Sequence, residues 1–99
     1  MALRDEYNFD LLENEAENLV ITELERQLAL EENAGVCRRE ECVLDMAAYA
    51  LNNVPAMYRA TLLGRLYAPE LDQEHHDEVQ RAVSKAIRTV RDNPPSDLA

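Results

Sequence analysis

EVQRAVSKAIRTVRDNPP, residues 78–95, decides the fold class. Val79, Ala82, Val83, Ala86, Ile87 and Val90 recur at spacings of three and four, which is one face of an α-helix. Arg88 and Arg91 fall at the carbonyl end of that helix, where cations are favoured by about 0.3–1 kcal/mol each. Asn93-Pro94-Pro95 stops it, because proline has no N–H to continue the ladder. Upstream, Pro69 with Glu70, Asp72 and Glu74 reads as the helix start.

Earlier segments carry the same period. Residues 9–32 contain no Gly or Pro, and Leu12, Ala16, Leu19, Val20, Leu24 and Leu28 form a stripe that Ile21 broadens. A long helix is predicted there, with Gly35 as a left-handed stop. In residues 38–53, Cys42, Val43, Met46, Ala47 and Ala50, with Val54 beyond, make a second apolar face. Pro55 ends this helix and is predicted to open a short one with Met57, Tyr58, Thr61 and Leu62 inward, leaving at Gly64. No useful period-two alternation occurs, so the fold expected is all-α: a small bundle of three longer helices plus one short helix or turn. Residues 1–8 and 93–99 read as tails around a domain at 9–92.

Ninety-nine residues, 46% hydrophobic and 30% charged, suit one domain with a small core, and the breadth of the helical faces suggests self-association as a homodimer. No apolar run approaches the roughly 20 residues that span a bilayer, so membrane insertion is not expected. MALRDEYNFD has neither the basic region nor the apolar core of a secretory signal, which makes the cytoplasm the expected address.

The net charge of -10 argues against general DNA or RNA binding, which needs cations to displace counterions along phosphates. The charge is uneven. Residues 1–32 hold ten acids and two bases, whereas residues 33–69 hold three acids and four arginines: Arg38, Arg39, Arg59 and Arg65. A local cationic site on an acidic body suits a small anion better than a long polyanion. Solvated surface is the competing reading for these arginines.

Catalytic chemistry finds no support. Ser84 has no histidine at matching helical spacing, and His75-His76 point in different directions from a helix. Gly35 and Gly64 are the only glycines, too few for a phosphate loop. Cys37 and Cys42, with the distant His75-His76 pair, are weak zinc candidates, because the cysteine spacing is not the C-x-x-C of structural zinc. In a reducing compartment they read as a free thiol, Cys37, and a buried small hydrophobe, Cys42.

The segment A-Y-A-L-N-x-V-P-x-x-Y at residues 48–58 resembles the A-Y-A-L-N-x-L-P-P-x-Y hallmark of the late competence protein ComFB family. Asn14, Glu17, Leu19 and Val20 resemble that family's N-x-x-E-x-L-V opening, and Glu25-Arg26-Gln27-Leu28 its E-x-R-Q-L. AVSKAIRTVRDNPP is similar to its A-V-R-x-A-I-x-x-V-x-x-D-P exit. The departures are Val54, Ala56 and Arg65, the last standing where tryptophan is common. Some members carry C-x-C-x-x-C-x-x-D and bind zinc. Cys37, Cys42 and Asp45 match three of those positions, but Arg39 replaces the central cysteine, so zinc is not expected here.

The resemblance implies an intertwined helical homodimer that binds a cyclic dinucleotide, cyclic di-GMP first and cyclic di-AMP as the alternative. It would require no cofactor and would signal to an unidentified downstream protein in competence, pilus or motility regulation. The ligand residues expected are Asn52, Tyr58, Arg59, Arg65, Arg38 and Arg39: guanidinium groups for phosphates and guanine edges, Tyr58 for stacking. Arg59→Ala and Arg65→Ala are then expected to weaken binding without unfolding the chain. For Tyr58 a packed ring at a structural corner is the competing reading. For the chain as a whole it is a protein–protein adaptor that binds no nucleotide.

Overall fold

The computed structural model describes residues 2–60 and 68–94, with the backbone alone over 68–74. The chain runs through α1 (Leu3–Glu6), a 3-10 turn (Phe9–Leu11), β1 (Glu13–Asn14), α2 (Glu15–Leu28), a second 3-10 turn (Glu31–Asn33), α3 (Glu40–Leu51), β2 (Tyr58–Arg59) and α4 (Ala68–Asp92). It is an all-α bundle of three longer helices and a short one, with a two-stranded antiparallel ladder at one end. No helix among the described residues is long and apolar enough to cross a membrane.

The core follows the stripes. Val79, Ala82, Val83, Ala86, Ile87 and Val90 of α4 are all buried, and they meet Ala16, Val20 and Leu24 of α2 and Cys42, Met46 and Ala50 of α3. Val36, Val54 and Met57 close its ends. α4 packs against both other long helices. Its backbone is finished by Asn93, whose N–H and side-chain amide both donate to the Thr89 carbonyl, at 3.0 and 3.2 Å.

Residues 9–32 are not one helix. α2 begins at Glu15 because Asn14 adopts an extended conformation (φ -98°, ψ 104°) and its Oδ1 accepts the Ala16 N–H at 3.1 Å, an N-cap. Residues 9–11 form a separate turn capped by Asn8. Leu12 and Ile21, which fit the helical stripe, are exposed at 47% and 53%.

The end of α2 also differs from expectation. No described glycine has positive φ, so Gly35 is not a left-handed stop. Side chains reach its last carbonyls instead: the Asn33 amide donates to Gln27 O (2.8 Å) and Arg38 Nη2 to Leu28 O (2.6 Å), with Arg38 Nη2 also donating to Asn33 O (3.1 Å) in the turn that follows.

The short helix expected after Pro55 is replaced, over its described part, by β2. Glu13 pairs with Arg59 and Asn14 with Tyr58. Two further bonds hold the approach extended: Met57 N–H donates to Asn14 Oδ1 (2.8 Å), and Glu15 N–H donates to Met57 O (2.8 Å). Thr61, Leu62, Gly64 and Arg65, and the tail from residue 95, lie outside the described residues.

A polar brace crosses the core edge between α2 and α4. Glu23 is buried, and its carboxylate accepts from Arg26 Nε (2.9 Å), Arg26 Nη2 (2.6 Å) and Gln27 Nε2 (2.7 Å). Gln27 Nε2 also donates to Gln80 O at 3.0 Å. The Arg26 hydrogen bonds, with a smaller contribution from Gln27, hold the Glu23 carboxyl below the usual glutamate range against the opposing effect of burial. A depressed native pKa contributes stability above the unfolded value, about 4.3, that is lost as pH falls through the native one. Melting temperature is therefore expected to fall more steeply below about pH 4.3 in the wild-type chain than in Glu23→Gln. Parallel melting curves for the two down to pH 3 count against this brace.

Candidate functional site

The ladder sorts two adjacent side chains to opposite faces, as any extended strand does. Tyr58 projects outward with 63% exposure, while Arg59 turns inward with only 4% of its side chain exposed. Arg59 Nε lies 3.9 Å from Glu15 Oε2, so this guanidinium is held against the first turn of α2. The Tyr58 ring borders a groove of about 420 Å³, together with Leu12, Glu13, Asn14, Glu17 and Asn18. Tyr58 is thus an exposed ring beside amides and carboxylates, and the packed-corner alternative does not describe it.

The residues expected to bind ligand divide between two ends of α3. Asn52, exposed, is the C-cap, and Tyr58 and Arg59 follow it. Arg38 and Arg39 precede the helix, whose 12 residues separate the two groups by about 18 Å at 1.5 Å per residue. Arg38 is engaged with the Leu28 carbonyl that closes α2 and with the Asn33 carbonyl of the turn after it. Arg39 lies over two sulfurs, with Nε 3.5 Å from Cys37 Sγ and Nη2 4.0 Å from Cys42 Sγ, and pairs with Glu41 at 3.4 Å. Within one chain the described members of the set do not converge.

Cys37 and Cys42 form a disulfide, with Cα atoms 6.0 Å apart, inside the span that such a bond needs. This corrects the reading of Cys37 as a free thiol. The sequence argument rested on compartment, whereas the turn into α3 brings the two side chains together. The same bond consumes both thiolates that a zinc ion would require, and Arg39 places a cation over them, so these residues do not fit zinc. No group of three or more potential metal ligands occurs among the described residues.

A second groove of about 420 Å³ lies between α2 and α4, walled by Asn18, Thr22, Glu23, Arg26, His76 and Val79. Sequence reasoning noted Asn14 and Glu17 as part of the family resemblance, not as site residues, and passed over Asn18, because isolated polar residues on a helix carry no binding pattern. Asn14 reaches the groove through the ladder, as the partner of Tyr58, and Glu17 and Asn18 follow it on the first turn of α2.

No curated protein matches the chain. The family model described as late competence development protein ComFB matches residues 13–94, from β1 past the end of α4. The chain therefore belongs to the late competence development protein ComFB family, and that membership points to a competence-related role.

Proposed function

We propose that the chain is a non-enzymatic receptor for a cyclic dinucleotide, cyclic di-GMP in first place, that acts as a homodimer, needs no cofactor and signals to a protein partner. The observation that carries this reading is the exposure of Tyr58. Its ring stands 63% open on a strand whose backbone is fixed by pairing to Asn14. A base stacked on such a ring gains about 1–3 kcal/mol. Glu17 and Asn18 border the same groove, and a carboxylate beside an amide suits the donor edge of guanine better than that of adenine, which lacks the ring N–H. A two-fold partner would bring a second ring and further cations to a two-fold ligand.

The test is isothermal titration of the full chain with cyclic di-GMP. Micromolar or tighter binding is expected, with Tyr58→Ala and Arg65→Ala each weakening it about tenfold. Tyr58→Ala is expected to leave the melting temperature unchanged, because the ring is exposed. A flat titration with no thermal shift at high ligand overturns the receptor reading.

A second reading, the adaptor, is favoured by the N-terminal segment. Leu3, Tyr7, Phe9, Leu11 and Leu12 are exposed, with Asp5, Glu6 and Asp10 around them. That acid-rimmed apolar surface fits a partner whose apolar ridge is flanked by lysines or arginines, whereas a second copy would set acid against acid. This reading expects no heat in the same titration, and partner binding that nucleotide leaves unchanged.

A further inference from the structure

The two sulfurs of the disulfide are unequally placed. Cys42 is fully buried in the first turn of α3, while Cys37 precedes the helix and is half-buried. Arg39 reaches both, at 3.5 Å from Cys37 Sγ and 4.0 Å from Cys42 Sγ. The bond closes a separation of five residues, the kind of short loop whose closure constrains the unfolded chain least. We infer that Cys37–Cys42 is a reversible thiol–disulfide exchange site, attacked at Cys37 by small-molecule or protein thiols, which fastens the start of α3 when oxidised and loosens it when reduced. The inference is independent of the nucleotide reading.

A reductant thiolate attacks Cys37 Sγ, the more accessible sulfur. A mixed disulfide forms there, the Cys37–Cys42 bond breaks, and the electron pair departs with Cys42 Sγ. That sulfur becomes anionic at a helix N-terminus and within reach of the Arg39 guanidinium, two features that favour the leaving thiolate. A second thiol then displaces Cys37. The two reductant thiols end as one disulfide, having given two electrons and two protons, and both cysteines end as thiols.

Opening this ring acts on the start of α3. Val43 N–H donates to the Arg39 carbonyl at 3.0 Å, in the first turn of the helix, and Arg38, also inside the ring, ties it to the end of α2. Oxidation therefore fastens a joint between two helices.

The test equilibrates the full chain in glutathione buffers of graded potential, traps thiols by alkylation and reads their number by mass. A reversible two-thiol transition under native conditions is expected. In Cys42→Ser, oxidised glutathione adds to Cys37; in Cys37→Ser, addition to buried Cys42 is expected to be at least about tenfold slower. Amide exchange at Val43 is expected to rise about tenfold in the reduced wild-type chain. A disulfide that resists dithiothreitol until the chain unfolds, equal adduct rates at the two cysteines, or unchanged exchange at Val43 each overturns the inference.

Discussion

Replacing Arg59 by alanine is expected to lower the free energy of unfolding by about 3 kcal/mol, read by chemical denaturation. The side chain is 4% exposed and its Nε lies 3.9 Å from Glu15 Oε2, so alanine removes a buried cation and the aliphatic stem that carries it. Glu15 keeps 21% exposure, and water reaching that carboxylate holds the effect below the upper end of about 5 kcal/mol seen for fully buried pairs. Arg59→Lys keeps the charge without the planar fork and is expected to recover part of the loss. A change under about 0.5 kcal/mol, the range of ordinary surface substitutions, would show that the pair contributes nothing. The consequence reaches the site. Arg59→Ala cannot report ligand binding without also reporting stability, and the burial of its guanidinium is the correction to a sequence reading that weighed only an anion site against solvated surface.

That correction shows where sequence reading stops. The stripe of α4 is legible because its contacts repeat every three or four residues, and all six of its predicted core residues are buried. The start of α2 is not. Leu12 obeys the same period as the core residues, yet it is exposed, because the helix begins after it, where Asn14 can cap it and reach Met57 across 43 residues. No local pattern encodes so distant a bond. The ladder is equally hidden, since two residues per strand offer no alternation to count. Gly35 looked like a stop by its type, but Arg38 and Asn33 had already supplied the donors that the end of α2 required.

The candidate site follows the same division. Pro55 and the residues after it do redirect the chain, and Tyr58 is presented to solvent, as a stacking residue must be. Its neighbour Arg59 could not be assigned a face until the pairing with Glu13 was known, because adjacent strand residues point oppositely. Arg38 was read as an anion donor from its charge. Its geometry makes it a donor to carbonyls, the other common use of a guanidinium near a helix end. The spacing of Cys37 and Cys42 departs from the usual zinc pattern, and the compartment argument set a disulfide aside, whereas the geometry of that bond depends on how the loop enters α3.

Asn14 joins these threads, and Asn14→Ala is expected to cost about 3 kcal/mol. One carboxamide oxygen accepts both the Ala16 N–H at 3.1 Å and the Met57 N–H at 2.8 Å. Loss of the cap accounts for about 1 kcal/mol, and stranding the N–H of buried Met57 for about 2 kcal/mol more. Asn14→Asp keeps an acceptor for both donors and places negative charge at the positive end of α2, so it is expected to retain most of the stability despite Glu13 and Glu15 beside it. Denaturation midpoints for the two variants check this, because equal midpoints would show that the acceptor oxygen contributes nothing. Asn14 is also the ladder partner of Tyr58, so freeing it unfastens the strand that presents the ring. Asn14→Ala should therefore weaken cyclic di-GMP binding beyond what its unfolded fraction explains, while Asn14→Asp, with the ladder intact, should not. If both variants bind as the wild-type chain does once folded, Tyr58 does not depend on the ladder for its placement.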